Sequence, residues 1–301
     1  MKWQGVIPAI TTPFEKDLSV DAGALFHEVD ALLKAGCTGV VALGSLGEGG
    51  SLSFDEKKAV LRLCREATQG RGALVAGIAA MTTAEAARLA ELAVETGCDG
   101  LMVLPPYVYR GDWRETETHF RAVIAATPLP VMLYNNPVAY GTDVLPAQLA
   151  ELAATQPNLV AVKESSTDVR RVTAIRAACG DRLAVLVGVD DAIVEGVAAG
   201  AVGWIAGLAD ALPEESVRLF ELARAGRDEE ARALYEWFLP LLRLDTVPKF
   251  VQLIKLVQQE LGMGAERVRP PRLPLEGAER EAATALIRDA LERRPAAPGP
   301  R

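Results

Sequence analysis

Histidine is scarce in this chain of 301 residues, which contains only His27 and His119. Both lie in helical patterns, where a histidine on a helix surface or lining a cavity is the simpler interpretation. The count excludes a metal centre built on several imidazole ligands. It also disfavours a metal acting as Lewis acid and favours covalent catalysis by lysine.

Cysteine is also limited, and no CxxC pair occurs. Widely spaced single cysteines are typical of small buried side chains in a reducing compartment, which predicts a cytoplasmic protein without a disulfide framework. The first residues, MKWQGVIPAITTPF, contain prolines and no apolar stretch followed by a small-residue cleavage site, so we expect no secretory signal. The four cysteines are Cys37, Cys64, Cys98 and Cys179.

Positive charge is in deficit, with 32 Lys and Arg against 40 Asp and Glu and a net charge of −8. Because no block of basic residues stands out, a nucleic-acid partner is not expected. No apolar run reaches the length that spans a bilayer, so a membrane partner is not expected either. With 50% hydrophobic residues the chain is predicted to be globular.

Short apolar runs alternate with amphipathic helical patterns along most of the chain. Such alternation indicates a parallel sheet covered by helices, and continuously apolar strands indicate burial on both faces. Eight strand–helix units favour a (β/α)₈ barrel, a TIM barrel of the α/β class, over an open doubly wound sheet, because no GxGxxG follows the first strand. The predicted strands are residues 5–10, 38–44, 73–78, 99–104, 129–134, 158–163, 183–188 and 201–207.

Helical patterns continue beyond the eighth unit. We predict a barrel domain over residues 1–225, a C-terminal helical extension over 226–294 and a loose tail over 295–301. Capping boxes are predicted at Ser53-x-x-Glu56 and Thr82-x-x-Glu85.

Lys163 ends the apolar run NLVAVK, at a strand end where barrel enzymes place their active sites. Lysine is rarely buried without a partner or a function. Apolar surroundings remove hydration and favour the neutral amine, the form that attacks a ketone to make a Schiff base. The alternative is a lysine whose stem packs while its ammonium reaches water or pairs with Glu164.

Two further strand ends carry polar groups. Tyr134 ends strand 5, and its hydroxyl is a candidate proton shuttle, or simply the tip of a core tyrosine. The turn after strand 2, GSLGE, contains Ser45, Leu46 and Gly47. Its glycines allow close backbone approach and its N–H groups suit a carboxylate, although a plain tight turn is an equal alternative.

Five motifs resemble the family of N-acetylneuraminate lyase and dihydrodipicolinate synthase. They are GVIPAITTPF, GSLGE, LPPYVY, YNNP and VAVKES, and the similarity extends from about residue 5 to residue 275. The resemblance implies a (β/α)₈ barrel with a C-terminal helical extension. It also implies a homotetramer built from tight dimers, with no metal and no organic cofactor.

The same resemblance implies roles for individual residues. Lys163 matches the lysine that forms a Schiff base with pyruvate or another 2-oxo acid. Tyr134 matches the tyrosine that relays protons, and Ser45 matches its hydroxyl neighbour. Leu46 and Gly47 match the carboxylate-binding turn, and Tyr107 matches a tyrosine that reaches into the neighbouring subunit's site.

Departures from the family pattern bear on the substrate. Dihydrodipicolinate synthases carry an arginine where YNNPVAYG has Ala139, and a methyl group cannot replace a guanidinium. The segment after strand 7 is similar to that of sialic acid lyases, where carboxylates bind a hydroxylated tail. The predicted substrate-contacting residues outside the GSLGE turn are Gly188, Asp190, Asp191 and Ile205.

We therefore expect a Schiff-base lyase acting on pyruvate or a hydroxylated 2-oxo acid, by aldol cleavage, condensation or dehydration. Alternatives are a 4-hydroxy-tetrahydrodipicolinate synthase, a 1-pyrroline-4-hydroxy-2-carboxylate deaminase, or a catalytically idle barrel that binds sugar acids. The presence of both Lys163 and Tyr134 argues against the idle barrel.

Overall fold

The computed structural model describes residues 1–295 and contains one eight-stranded parallel sheet. The strands follow one another in the order β1-β8-β7-β6-β5-β4-β3-β2, which confirms the (β/α)₈ barrel. They are β1 Gly5–Pro8, β2 Gly39–Ala42, β3 Ala73–Ile78, β4 Gly100–Val103, β5 Val131–Asn135, β6 Leu159–Glu164, β7 Ala184–Val187 and β8 Gly203–Ala206.

Each strand was predicted: β3 has its predicted bounds, β5 and β6 are shifted by one or two residues, and the others were predicted two or three residues too long. Parallel pairing is continuous from β2 through β8 and on to β1, with one irregularity of register between Val131 and Met132 of β5. Between β1 and β2 the ring closes through a single parallel bridge from Ala9 to Val41 and a 3.0 Å bond from the Ile10 amide to the Val41 carbonyl. The strands are buried because helices cover their outer faces.

Helices cover the barrel and extend beyond it. They are α1 Ala22–Lys34, α2 Phe54–Thr68, α3 Thr83–Glu95, α4 Trp113–Ala125, α5 Pro137–Tyr140, α6 Pro146–Thr155, α7 Arg170–Cys179, α8 Ile193–Ala198, α9 Pro213–Arg224, α10 Asp228–Leu242, α11 Phe250–Glu260 and α12 Gly277–Glu292. The capping box at Ser53 is complete, whereas at Thr82 only the hydroxyl bond from the Glu85 amide is made.

The C-terminal helical extension consists of α10, α11 and α12, with a 3₁₀ turn over Arg243–Thr246 between the first two. α10 packs on α9 and α12, and α11 contacts the 3₁₀ turn Leu208–Asp210 after β8. The extension therefore reaches the end of the barrel where the strands finish. Its predicted boundary at residue 226 stays a prediction, and nearly all of the predicted tail lies outside the described residues.

No helix among residues 1–295 is long and apolar enough to cross a membrane.

Candidate active site

Lys163 and Tyr134 face each other at the carboxyl ends of β6 and β5. They are direct partners in the parallel ladder. Lys163 is 7% exposed and Tyr134 is 6% exposed. The Lys163 Nζ lies 4.1 Å from the centre of the Tyr134 ring, a cation–π contact. The buried amine predicted at a strand end is therefore present, and it lies on the ring of the predicted proton shuttle.

Gly188, at the end of the neighbouring strand β7, gives the lysine its space. A Cβ at this position would lie 2.6 Å from both Cγ and Cε of Lys163, closer than side chains tolerate. The buried hydroxyl of Ser165 also lies beside this Cβ position, and it has no hydrogen-bond partner in the described structure. Gly188 was predicted to contact substrate; its observed effect is to let the Lys163 side chain pass.

Three tyrosines and one serine form a hydroxyl cluster beside the lysine. The Ser45 Oγ lies 2.5 Å from the Tyr140 hydroxyl and 3.5 Å from that of Tyr107. The Tyr140 ring contacts the rings of both Tyr107 and Tyr134, at 5.7 Å between centres. The Tyr134 hydroxyl instead accepts a 3.0 Å bond from Asn136 Nδ2. Tyr140 thus stands between Ser45 and Tyr134, which the resemblance had paired directly.

Tyr140 was not predicted. It ends α5, a single turn that starts with Pro137 and is capped by the Asn136 side chain, which accepts a 2.9 Å bond from the Ala139 amide. One turn is too short to give a helical period, so the pattern carried no signal. Burial, with the neighbouring Tyr134 and Tyr107, raises the pKa of Tyr140 well above its ordinary value. Its hydroxyl therefore keeps its proton at neutral pH.

The GSLGE turn is held in shape by close backbone packing. Gly47 admits no side chain because a Cβ would lie 2.8 Å from the Ile10 carbonyl oxygen, and its own carbonyl accepts a 2.6 Å bond from Thr12 Oγ1. Leu46 is 3% exposed. Throughout residues 1–295, the backbone N–H groups of Ser45 and Leu46 have no acceptor. Free backbone amides of this kind can bind an anion, and the carboxylate site at this turn stays a prediction.

Glu48, at the end of this turn, is buried and left-handed, with φ of 52°. It accepts a 2.6 Å bond from Lys255 Nζ on α11, and both side chains are 1% exposed or less. The Glu48 Oε2 accepts a further bond from the Arg269 amide at 2.9 Å. The C-terminal extension therefore supports the turn that carries Ser45.

The two acidic residues after β7 differ from expectation. Asp190 is fully buried, and its oxygens accept bonds from Trp204 Nε1 at 2.9 Å, from Gly207 at 3.1 Å and from Leu208 at 2.7 Å. Burial raises its pKa to about 6 despite these donors. Its carboxylate binds Trp204 of β8 and the two backbone amides that follow the strand. The family resemblance could not reveal these partners, because the motif does not show in which direction the Asp190 carboxylate points.

Asp191 points toward the C-terminal extension. Its Oδ2 lies 3.5 Å from Arg243 Nε, and its backbone carbonyl accepts a bond from the Tyr235 hydroxyl. Ile205 is fully buried within β8, opposite Ile7 of β1. Neither shows a contact that would make it a substrate ligand, so those two assignments stay predictions without geometric support.

The chain is similar to known proteins over almost its whole length. The family described as the Dihydrodipicolinate synthetase family matches residues 2–290. The 4-hydroxy-tetrahydrodipicolinate synthase of Rhizobium meliloti (strain 1021) is 34% identical over 289 residues, which cover 96% of this chain and 98% of the relative. The enzyme of the same name from Methanoculleus marisnigri is 35% identical, and the match covers 96% of this chain and 98% of that enzyme.

A solved structure agrees with these sequences. YagE from E. coli K12, described as a prophage protein of the dihydrodipicolinic acid synthase family in complex with pyruvate, superimposes with a TM-score of 0.90 at 27% identity. The match covers 97% of this chain and 99% of YagE. The chain therefore belongs to the dihydrodipicolinate synthetase family, whose members are metal-independent lyases of the class I aldolase type that work through a lysine Schiff base.

Proposed function

We propose that Lys163 forms the Schiff base, with pyruvate or a hydroxylated 2-oxo acid as substrate. The observation that carries this is the buried amine on the face of Tyr134, at the carboxyl ends of adjacent strands. The amine attacks the 2-oxo carbon, and the carbonyl oxygen leaves as water. The resulting iminium withdraws electrons and acidifies the protons on C3.

The substrate carboxylate binds the GSLGE turn. Support comes from the free N–H groups of Ser45 and Leu46, which lie after β2 at the same end of the barrel as Lys163. Donors held by a rigid turn bind an anion without reorganising.

Protons move through the hydroxyl cluster. Tyr134 touches the reacting amine, and Tyr140 and Ser45 extend the path away from it. In this relay Tyr134 gives and takes the proton at the bound substrate, while the other two hydroxyls exchange it with water.

The distal part of the substrate carries hydroxyl groups. Ala139 is exposed at the position where dihydrodipicolinate synthases bind a second carboxylate through arginine. Aldol cleavage or dehydration of a hydroxylated 2-oxo acid therefore fits this chain better than the synthase reaction.

A second candidate is the activity named for the relatives, 4-hydroxy-tetrahydrodipicolinate synthase. One observation favours it. The Arg110 guanidinium packs against Gly141, two residues after Ala139, so a cation does stand near this segment. An assay of pyruvate with aspartate semialdehyde, on wild type and Arg110→Ala, decides between the two: synthase activity that depends on Arg110 would favour the second.

The working unit is a homotetramer, a dimer of dimers, in which Tyr107 serves its partner's site. Within one chain the Tyr107 hydroxyl already reaches Ser45 at 3.5 Å, and the next residue, Val108, is 85% exposed with φ of 71°. Sedimentation at assay concentration tests this. A fully active monomer would contradict a shared site.

The unpaired, buried cysteine thiols support a cytoplasmic location. All four cysteines are free, and burial raises the pKa of Cys98 to about 11 and that of Cys37 to about 12.

Borohydride trapping tests the Schiff base. Wild type incubated with pyruvate and borohydride should gain one reduced adduct, and peptide mapping should place it on Lys163. Lys163→Ala should gain none and lose all turnover. Lys57→Met is the matched control, because Lys57 is another buried lysine but lies on α2, away from the strand ends. An adduct that persists in Lys163→Ala would refute the assignment.

A further inference from the structure

Asp245 brings a carboxyl group from the C-terminal extension to the end of the barrel. It lies in the 3₁₀ turn Arg243–Thr246, which packs against the turn Asp190–Ala192 after β7. No motif includes it. Nothing in the pattern LLRLDTVP distinguishes it from an ordinary loop aspartate.

The carboxyl group of Asp245 lies on the backbone of Gly207, immediately after β8. A Cβ on Gly207 would be 2.7 Å from Asp245 Oδ2 and closer still to Oδ1, so only glycine leaves room for this side chain. Gly188 does the same for Lys163 at the end of the adjacent strand. Two glycines that follow neighbouring strands thus admit two ionisable side chains at the same end of the barrel.

The acidic residues after β7 hold this arrangement. Asp190 binds the amides of Gly207 and Leu208, which fixes the surface that Asp245 covers. Asp191 lies 3.5 Å from Arg243, two residues before Asp245 in the same turn. The substrate contacts of Asp190 and Asp191 stay predictions; in the structure, the two residues hold the surroundings of a third carboxyl group.

Asp245 itself is uncommitted. In the described part of the chain, neither of its oxygens accepts a hydrogen bond, although the residue is only partly exposed. Burial raises the pKa of Asp245 well above its ordinary value, the nearby Asp190 raises it further, and the Lys163 ammonium lowers it. Asp210 and Asp191 are the other charged groups that act on it, and both raise it. A carboxyl group whose pKa is raised holds its proton more strongly and can donate it, or a hydrogen bond, to a substrate oxygen.

We propose that Asp245 is the acid–base residue for the oxygen on C4 of the substrate, on the side away from the carboxylate. This rests on the Schiff base at Lys163. In condensation, the enamine of pyruvate attacks an aldehyde and the C3–C4 bond forms. The carbonyl electron pair moves onto the aldehyde oxygen, which takes the proton of Asp245 and becomes the C4 hydroxyl. Cleavage is the reverse, with the Asp245 carboxylate removing that proton.

Dehydration uses the same proton. The enamine electrons form the C3–C4 double bond, the C4–O bond breaks, and the leaving hydroxide takes the Asp245 proton to depart as water. The carboxylate regains its proton from solvent. Tyr134 and Asp245 thus serve different carbons, C3 and C4.

Two reactions distinguish the proposed role of Asp245 at C4 from that of Tyr134 at C3. Exchange of pyruvate methyl protons in D₂O, followed by NMR, needs the Schiff base and proton transfer at C3 only. Turnover of hydroxylated 2-oxo acids, with 4-hydroxy-2-oxoglutarate and longer analogues as probes, also needs C4. Wild type, Asp245→Asn, Asp245→Glu and the control Asp228→Asn, an exposed residue at the start of α10, are compared in both.

We expect Asp245→Asn to retain exchange within about threefold and to lose about 10²- to 10⁴-fold in kcat on the best hydroxylated acid, with little change in KM. Asp245→Glu should restore part of the loss, and Asp228→Asn should match wild type. Equal losses in both reactions, or no loss in turnover, would refute the role. So would a wild type that exchanges pyruvate but turns over no hydroxylated acid. Absence of pyruvate trapping in wild type would instead refute the Schiff base, and this inference with it.

Discussion

At the scale of single residues, the site depends on what is missing as much as on what is present. Lys163 occupies volume that any side chain at Gly188 would fill. The lysine was predicted from an apolar run that ends in a charge. The effect of Gly188 was not predicted, because the sequence does not show which side chain at a strand end crosses toward a neighbouring strand.

Replacing Gly188 by alanine should displace Lys163 rather than unfold the barrel. The new methyl group would lie 2.6 Å from two carbons of Lys163 and closer still to Ser165 Oγ, so both side chains must move. We expect at least about a tenfold slower trapping of pyruvate, since misplacement by about an ångström commonly costs this much or more. Gly264→Ala is the control, because no atom lies within 4 Å of its Cβ position. Normal trapping in Gly188→Ala, with unchanged circular dichroism, would show that Lys163 does not need the space that Gly188 leaves.

The two tyrosines near the amine should differ in effect. Tyr134→Phe keeps the ring under Lys163 Nζ but removes the hydroxyl, and should slow pyruvate proton exchange by about 10²- to 10⁴-fold while trapping persists. Tyr140→Phe removes the partner of Ser45 at one step further from the amine and should cost less. The exchange rate measured by NMR ranks the variants, and a larger loss in Tyr140→Phe would place the key hydroxyl on Tyr140.

At the scale of elements, the N-terminus of α2 is tied to the loop before α12. Glu56 closes the capping box with Ser53, and it also receives two bonds from Arg269, at 2.5 Å and 2.9 Å. The Arg269 guanidinium is the main reason that the pKa of Glu56 falls from 4.5 to about 2. This bond network stabilises both segments at neutral pH.

Glu56→Gln should therefore destabilise the protein in a pH-dependent way. A carboxyl group with a lowered folded pKa stabilises above its unfolded pKa of 4.5, and this contribution is lost as pH falls through about 2. Allowing for solvent screening, we expect about 1–2 kcal/mol at pH 7 and a smaller difference near pH 3. Urea unfolding at both pH values measures it, with the exposed Glu66→Gln on the same helix as control. A difference that does not shrink in acid would exclude the ion pair as its source.

Regular elements were predictable because their periods repeat over many residues, as in α2 and β3. The one-turn helix that ends at Tyr140 and the 3₁₀ turn that carries Asp245 repeat nothing, so the pattern did not reveal them. Asp190 was expected at a strand end and is found there. Its orientation depends on amides from the next strand, which only the folded chain brings near.

At the scale of the whole molecule, barrel and extension share a buried ion pair. Lys255 Nζ lies 2.6 Å from Glu48 and also donates to the carbonyls of Thr12 and Arg267, both at 2.8 Å. Burial lowers the pKa of Lys255, and Glu48 opposes the shift. The pair connects the first two strand ends to the last part of the chain.

Removing one partner should cost more than removing both. Lys255→Met leaves the buried Glu48 carboxylate with only the Arg272 guanidinium, 3.9 Å from Oε2, and we expect a loss of about 3–5 kcal/mol in the free energy of unfolding. The double variant Glu48→Gln/Lys255→Met should recover part of this loss. Lys249→Met, which breaks an exposed pair with Glu279, should change little. Glu48→Gln and Lys255→Met are also measured alone in urea unfolding. If their two effects add up to that of the double variant, the buried charges are not coupled.

The pairing of Glu48 with Lys255 also has a consequence for the newly synthesised chain. Translation delivers residues 44–48 long before residue 255, and domains begin to fold as they emerge. Until α11 leaves the ribosome, the turn that carries Ser45 has a carboxylate with no counter-ion, and burial of that carboxylate is unfavourable. The strands of the barrel can assemble early, but the turn reaches its final shape only when the last fifth of the polypeptide arrives. The turn that we propose as the carboxylate site therefore stays unfinished until synthesis of the chain is nearly complete.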